Sequence, residues 1–268
     1  MGRSSTLFLE ARAFLHPRLF QLGPLVIPTS GLLAAVAILA ALYTARVAGR
    51  RLGLDPERLW DLGILGVLVA LVSPRVLLIL ANWNDFRAHP LWMIGVVNVR
   101  SQAATLGGLT VAIAVVLLYI QLTRLPLRPT LDAIAPALAL GLAIDSLGDL
   151  AAGSHFGTPS SLPWAVTYTS RLASLWSGTP LGTPLHPVQI YTSIAELCLF
   201  ALLMAMIATR ARRKLRDGEI MGAWLFLSGL ARFTLSFLRG DLAATGPYLG
   251  AQVLAASMVL VGGLLGLL

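Results

Sequence analysis

The sequence is poor in charged residues and contains a single cysteine. Only 12% of its 268 residues are charged and 57% are hydrophobic, a balance that excludes a soluble domain and indicates an integral membrane protein. Cys198 has no second cysteine to pair with, so an internal disulfide is excluded. The sequence also lacks a phosphate-binding glycine loop, a His/Cys cluster with metal-ligand spacing and a Ser-x-x-Lys arrangement. We therefore expect neither a metal ion nor another cofactor.

Acidic residues are outnumbered by basic ones, 12 to 20, which gives a formal net charge of +8. The basic residues cluster between apolar runs, and this arrangement favours contact with a membrane surface over contact with nucleic acid. We expect membrane lipid as a partner and no nucleic acid.

Apolar segments dominate the chain, and each needs about 20 residues to cross the hydrocarbon core. Seven segments are long enough, at residues 25–45, 59–81, 103–122, 131–153, 187–209, 221–238 and 248–268. The sequence therefore predicts an all-α integral membrane protein with seven transmembrane helices, in a single membrane domain over residues 1–268. Tryptophan in the connections 82–102 and 154–186, with many Gly, Pro, Ser and Thr residues in the second, predicts a structured loop region.

The charges of the connections predict the orientation. The first, third and fifth connections carry most of the basic residues, namely Arg46, Arg50, Arg51, Arg58, Arg124, Arg128, Arg210, Arg212, Arg213, Lys214 and Arg216. The positive-inside rule places these connections in the cytoplasm. The N-terminus is then outside, the C-terminus is cytoplasmic, and the structured loop region faces outward.

Among the charged residues within or next to the apolar segments, two aspartates and three arginines are candidates for a shared site. Asp145 and Asp149 are four residues apart, on one face of a predicted helix. A charge at the centre of a bilayer costs roughly 2.5–3.5 kcal/mol on insertion scales, so such residues face a cavity or a partner. Arg75, Arg232 and Arg239 can supply the partner charge, and guanidinium groups suit two-pronged binding of a lipid phosphate. We expect Asp149 to pair with one of these arginines or to be protonated.

Further polar residues lie near the start of the fifth predicted span, in LHPVQIYTSIAEL. From the residues alone, His186, Gln189 and Tyr191 fit either a helix start with an interfacial tyrosine or part of a binding site. Glu196 lies deeper in the span and needs a partner. His155 has no second metal ligand at helical spacing, so we assign it no function.

In this order, the segments resemble the bacterial prolipoprotein diacylglyceryl transferases from about residue 19 to residue 268. LFQLGPLVIPTSGLL resembles that family's opening segment, and SPRVLLIL resembles its Gly-Gly-Arg helix. ATLGGLTVA resembles its His-Gly-Gly-Leu segment, and LDAIAPALALGLA its Asp-x-x-Ala-Pro segment. SLGDLAAGSHFG resembles the signature Arg-x-Gly-Asn-Phe-x-Asn-Gly-Glu-x-x-Gly. LHPVQIYTSIAEL and LARFTLSFLRGD resemble the His-Pro-x-Gln-x-Tyr-Glu and Arg-x-x-x-Glu-x-x-Arg elements.

The resemblance implies a seven-helix protein of the bacterial cytoplasmic (inner) membrane. It implies that phosphatidylglycerol gives its diacylglyceryl group to the lipobox cysteine thiol of an exported prolipoprotein, and that glycerol 1-phosphate leaves. The implied partners are phosphatidylglycerol and a prolipoprotein signal peptide with its lipobox cysteine. The catalytic candidates are Asp145, Asp149 and Arg232. The candidates for binding phosphatidylglycerol are Arg75, Ser146, Gly157, His186, Gln189, Tyr191 and Arg239.

Several motif positions hold other residues in this chain. Ser146 replaces the signature arginine, Asp149 its asparagine and Ser154 its glutamate. The other replacements are Ser30 for a tyrosine, Leu106 for a histidine, and Thr192 and Ser236 for glutamates. Asp149 would then orient substrate or act as a substitute base. Two alternatives stay open, a non-catalytic relative that binds lipid or prolipoprotein and an ion-coupled transporter that uses the buried aspartates.

Overall fold

A computed structural model describes residues 17–22, 25–89, 102–245 and 248–267. Its helices are α1 Thr29–Arg51, α2 Pro56–Ala81, α3 Trp83–Ala88, α4 Gln102–Leu122, α5 Leu127–Ala152, α6 Arg171–Ser177, α7 Val188–Arg213, α8 Glu219–Ser236, α9 Gly240–Thr245 and α10 Tyr248–Leu267. Its strands are β1 Arg18–Leu22, β2 Leu25–Pro28, β3 Val166–Thr167 and β4 Pro184–Leu185. β1 pairs with β2 and β3 with β4, both antiparallel.

The predicted helical membrane architecture is confirmed. In the described part of the chain, α1, α2, α4, α5 and α7 are long and apolar enough to cross a membrane, and the apolar part of α10, Gly250–Leu264, is shorter. α8 has 18 residues and includes Arg232. The prediction of seven spans therefore stays a prediction. The first span was predicted to begin at residue 25, which is wrong, because residues 25–28 pair with β1 and the helix begins only after Pro28.

α5 is the most buried of these long helices, and it lies between α1 and α7. Small residues allow α1 to approach closely, since a Cβ atom added at Gly148 would lie 3.3 Å from Leu33 Cβ and from Ser30 Cα. The apolar core includes Leu59 of α2, Leu203 of α7 and Ile220 of α8 around this helix. α8 packs in turn on α10, and α2 packs on α4.

The three basic connections lie at one end of the bundle. Arg58 Nη1 donates a 2.9 Å hydrogen bond to the Thr123 carbonyl oxygen, which joins the first connection to the third. Asp132, near the start of α5, accepts hydrogen bonds from the backbone N–H groups of Gly218 and Met221 at 2.8 and 2.9 Å. The buried carboxylate thereby satisfies backbone donors at the start of α8.

The connection between α5 and α7 packs over the other end of α5. Phe156, Tyr168 and Leu185 form a small buried cluster there. The Tyr168 hydroxyl donates to the Leu150 carbonyl oxygen at 3.1 Å, and burial raises the pKa of this phenol above its ordinary value. The predicted structure in residues 154–186 is thus confirmed, whereas the side that it faces stays a prediction. Most of the other predicted loop, residues 82–102, lies outside the described residues.

Candidate active site

A polar cavity of about 240 Å³ lies at the loop-covered end of α5. Helices α5, α7, α8 and α10 form its walls. Its polar lining consists of Asp145, Ser146, Asp149, His155, Gln189, Thr192, Arg232, Ser236 and Arg239. The α10 wall is apolar, with Leu254 and Met258 among its side chains. Charged groups and an apolar wall meet here between four helices, of which α5 and α7 are long and apolar enough to cross a membrane.

Asp149 is held by the residues that follow its own helix. α5 ends at Gly153, whose backbone is left-handed with φ +78°, and the chain then turns back over the last helical turn. The Ser154 hydroxyl donates to Asp149 Oδ1 and His155 Nδ1 donates to Asp149 Oδ2, both at 2.7 Å. We expected an arginine partner or a proton on Asp149; its hydrogen-bond partners are a histidine and a serine, and Arg239 interacts with it electrostatically.

His155 is itself in an unusual backbone conformation. Its φ is +53°, a region that side-chain-bearing residues rarely adopt. Such a conformation costs on the order of 1–3 kcal/mol and persists only where surrounding structure enforces it. The enforcing contacts lie directly after it, because the Phe156 carbonyl oxygen accepts the Gly240 N–H at 2.9 Å and the Thr158 N–H donates to the Leu238 carbonyl oxygen at 2.8 Å.

Arg232 enters the cavity from α8 with most of its hydrogen-bond donors unused. Its side chain is 37% exposed, and its Nη2 lies 3.7 Å from Oε1 of the buried Glu196. Its Nε donates a weak 3.4 Å hydrogen bond to Ser228. Within the described part of the chain, its terminal nitrogens donate no hydrogen bond. Several N–H donors are therefore available to an anion in the cavity. The expectation that Glu196 requires a partner is confirmed.

Arg239 follows α8 and makes a two-pronged contact with Asp241. Its Nε and Nη2 donate to the two carboxylate oxygens at 3.0 and 2.5 Å. This is the geometry with which a guanidinium also binds phosphate. A phosphate on the same edge of Arg239 has to displace the Asp241 carboxylate.

Asp145 lines the polar cavity and also a second, apolar one. This neighbouring cavity has a volume of about 470 Å³ and lies among α1, α2, α4 and α5. Asp145 and Leu142 line both cavities. The Asp145 side chain is exposed and, among the residues that the structure describes, makes no hydrogen bond. A ligand with a polar head and an apolar tail can therefore contact both spaces at this residue.

The cavity brings together six of the ten candidate residues, namely Asp145, Ser146, Asp149, Gln189, Arg232 and Arg239. The Ser146 hydroxyl donates to the Leu142 carbonyl oxygen at 2.8 Å and so bonds within its own helix. Gln189 Nε2 donates to the Ser154 carbonyl oxygen at 2.7 Å, which fixes the turn that holds Asp149.

Gly157, a seventh candidate, lies behind the cavity wall in a bridge with Arg239. A Cβ atom at Gly157 would overlap the His186 carbonyl oxygen and lie 2.7 Å from His186 Cβ. The His186 N–H also donates to the Thr158 carbonyl oxygen at 3.0 Å. The glycine thus allows three chain segments to meet at the end of α5, the start of α7 and the end of α8.

The remaining three candidates also lie off the cavity wall. Arg75 is on α2 with its guanidinium carbon 5.7 Å from the Phe86 ring centroid. The Tyr191 hydroxyl accepts a 2.8 Å hydrogen bond from Trp164 Nε1, and the His186 ring lies edge-on to Tyr191. Their roles in substrate binding stay predictions. His155 is the residue that sequence reasoning missed, because only the turn at Gly153 brings it to Asp149.

Apolar helices around a polar cavity with two arginines and two aspartates indicate a multi-pass membrane protein with a charged cavity between its helices. The family follows from comparison with known proteins. The chain belongs to the prolipoprotein diacylglyceryl transferase family, whose model matches residues 17–268. The resemblance that its motifs indicated is thereby confirmed.

Relatives from several bacteria match most of the chain, and each is named phosphatidylglycerol–prolipoprotein diacylglyceryl transferase. The protein of Synechocystis sp. is 31% identical over 255 residues, which cover 92% of this chain and 86% of the relative. The protein of Trichormus variabilis is 30% identical with the same coverage. The protein of Synechococcus elongatus is 29% identical over 258 residues, which cover 94% of this chain and 86% of the relative. The family is thus one of bacterial transferases.

Proposed function

We propose that this protein transfers the diacylglyceryl group of phosphatidylglycerol to the lipobox cysteine thiol of exported prolipoproteins. One observation carries the proposal, namely that Arg232 and Arg239 line one cavity between apolar helices. Guanidinium groups bind phosphate, and the phosphate that is abundant in a membrane belongs to lipid headgroups. The relatives' names, which describe diacylglyceryl transfer between phosphatidylglycerol and prolipoprotein, support the proposal.

The reaction forms a bond between the thiol sulfur and a glyceryl carbon and breaks the bond from that carbon to a phosphate oxygen. Glycerol 1-phosphate leaves, and its phosphate gains negative charge as the carbon–oxygen bond breaks. Donors already aimed at that charge lower the barrier, because they need no reorganisation during the reaction. Arg232 fits this role through its unused terminal N–H groups.

The apolar spaces suit the rest of the lipid. The α10 wall of the polar cavity is apolar, and the cavity of about 470 Å³ begins at Leu142 and Asp145, which line both spaces. An acyl chain in the apolar cavity would leave the headgroup beside Arg232. The proposal therefore requires one lipid to contact both cavities.

We also propose seven membrane spans in the bacterial inner membrane, with α8 and α10 as the sixth and seventh. The hydrogen bond from Arg58 to Thr123 supports a shared basic end, which the positive-inside rule assigns to the cytoplasm. The cavity and its covering loop then face outward, on the side where exported prolipoproteins emerge.

A second candidate, binding of lipid or prolipoprotein without transfer, is favoured by the small hydroxyl residues of the cavity. Ser146, Thr192 and Ser236 line it where the family motifs have an arginine and two glutamates. These side chains carry no charge with which to bind phosphate or move a proton.

The test uses the full chain in lipid nanodiscs with labelled phosphatidylglycerol and a lipobox peptide. We expect the wild type to produce diacylglyceryl peptide. Arg232→Ala should weaken lipid binding more than Arg232→Lys, because lysine keeps the charge but loses the two-pronged contact. Arg212→Ala, at an exposed arginine of the basic end, serves as the matched control. Binding without transfer at any pH would favour the second candidate, and equal binding by all variants would exclude Arg232 from the site.

A further inference from the structure

We propose that His155 is the base that accepts the proton of the substrate thiol, and that Asp149 holds its ring for this task. The inference rests on the proposed function and assigns a residue for which the sequence indicated no role. It starts from the 2.7 Å contact between His155 Nδ1 and Asp149 Oδ2 on the wall of the polar cavity.

The contact determines which ring nitrogen can accept a proton. A carboxylate only accepts hydrogen bonds, so the neutral imidazole carries its proton on Nδ1 and its lone pair on Nε2. The His155 side chain is 54% exposed, whereas the Asp149 side chain is 24% exposed. The lone pair on Nε2 therefore belongs to His155, the more accessible of the two residues, and the less accessible carboxylate of Asp149 orients the imidazole ring. The same division of roles operates between histidine and aspartate in hydrolytic triads.

The backbone holds the ring at this place. His155 adopts a left-handed φ of +53° between the turn at Gly153 and the bridge from Gly157 to Arg239. The Ser154 hydroxyl occupies the other oxygen of Asp149, so the carboxylate cannot turn away without losing a 2.7 Å hydrogen bond. Gln189 fixes Ser154 in turn, because its Nε2 donates a hydrogen bond to the backbone carbonyl oxygen of Ser154.

The charges around the ring suit a proton acceptor. Asp149 and Asp145 of α5 are the nearby carboxylates, and Arg232 of α8 and Arg239 after α8 are the nearby cations. Asp149 stabilises the imidazolium that forms when Nε2 takes a proton. Arg232 of α8 and Arg239 line the same cavity as His155, and the phosphate of the lipid would lie beside them. The base and the groups that would bind the leaving phosphate are thus different side chains of one cavity.

The step balances without a co-reactant. The thiol S–H bond breaks, and its proton goes to His155 Nε2. The thiolate sulfur forms the bond to the glyceryl carbon as the carbon–oxygen bond to phosphate breaks, and the electron pair of that bond stays with the phosphate. The proton then passes from Nε2 to the departing glycerol 1-phosphate, which restores the neutral ring.

The experiment measures single-turnover transfer to a lipobox peptide by full-length protein in phosphatidylglycerol nanodiscs. A general base contributes roughly 10²–10⁴-fold, so His155→Ala should slow transfer by at least about 100-fold and leave lipid binding unchanged. His155→Asn retains a donor for Asp149 but cannot accept the proton, and it should show the same loss. Thr169→Ala, at an exposed position of the same loop, should match the wild type.

Two rescues distinguish a base from a merely structural residue. Added imidazole should restore part of the activity of His155→Ala, because the site is accessible. A peptide with selenocysteine in place of the lipobox cysteine should react nearly as fast with His155→Ala as with the wild type, since its selenol is ionised without a base. Loss of activity without either rescue would overturn the role of His155 as a base.

The outcomes also separate this inference from the proposed function. An active wild type with an equally active His155→Ala variant would overturn the inference and leave the transfer function standing. A wild type that transfers to neither peptide would overturn both.

Discussion

The Ser228 hydroxyl donates a 2.6 Å hydrogen bond to Glu196 Oε1, and both side chains are buried. The same carboxylate oxygen lies 3.7 Å from Arg232 Nη2, and Trp224 Nε1 donates to the other oxygen at 3.4 Å. Glu196 is on α7 and does not line the polar cavity, whereas the other three residues are on α8. The position of Arg232 in the cavity therefore depends on a carboxylate outside it.

Replacing Glu196 should weaken both stability and lipid binding. Glu196→Ala leaves the Ser228 O–H and the Trp224 N–H without the acceptor that each now has, at a cost of about 1–3 kcal/mol for each buried group. Its thermal unfolding midpoint in detergent should fall clearly, and its affinity for phosphatidylglycerol should fall with it. Cys198→Ala changes an exposed residue of the same helix and should leave both values unchanged. An unaltered midpoint in Glu196→Ala would contradict the buried network.

Gly157 should tolerate no side chain. The Cβ atom of Gly157→Ala would overlap the His186 carbonyl oxygen, so the junction of three chain segments has to open. We expect a lower unfolding midpoint and faster proteolysis within residues 154–186. Gly250→Ala is the matched control, because a Cβ atom at that position meets no atom within 4 Å. Equal proteolysis of the two variants would show that the junction does not hold the loop.

Tyr168 should make stability depend on pH in the alkaline range. Burial raises its pKa in the folded protein above the ordinary value near 10, so the unfolded chain ionises first as the pH rises. Its contribution is therefore complete below pH 10 and declines as the pH rises from there toward the raised pKa. Tyr168→Phe should flatten this decline when unfolding is measured between about pH 9 and 11. Tyr43→Phe, at a tyrosine that is 66% exposed, should retain the decline of the wild type.

The proposed orientation predicts labelling from opposite sides. In a Cys198→Ala background, cysteine at Ser161 should react with an impermeant maleimide added outside intact cells. Cysteine at Arg213 should react only after the cells are opened. Both positions are exposed in the structure, so access depends on the membrane alone. Labelling of both from outside would overturn the assignment of the basic end to the cytoplasm.

The long helices were predictable because a membrane span requires a long apolar run, and composition reveals such runs without knowledge of packing. The residue at which α1 begins was not predictable. Residues 25–28 are as apolar as the helix, and only the pairing of these residues with β1 shows that they form a strand. Likewise, Arg75, Arg232 and Arg239 all have mostly apolar neighbours in the sequence, which does not distinguish them. Packing places Arg232 and Arg239 on one cavity and Arg75 elsewhere, and spacing along a single helix contains no information about which helices adjoin.

The pairing of Asp149 with His155 was hidden for a different reason. The two residues are too far apart in the sequence to meet across one helical turn. Their side chains meet only because the chain reverses its direction at Gly153. A glycine after an apolar run predicts that a helix ends. It does not predict which later side chain returns to the last turn. The motif resemblance of SLGDLAAGSHFG identified Asp149 as a candidate, whereas its partner His155 was found only from the turn in the structure.

The two ends of α5 are both fixed, Asp132 to the start of α8 and Asp149 to the covering loop. At about 1.5 Å per residue these carboxylates lie roughly 25 Å apart, slightly less than the hydrocarbon thickness of about 30 Å. A helix held at both ends cannot change its tilt independently of α8 and the covering loop. The cavity that α5 shares with α8 should therefore keep its shape in bilayers of different thickness.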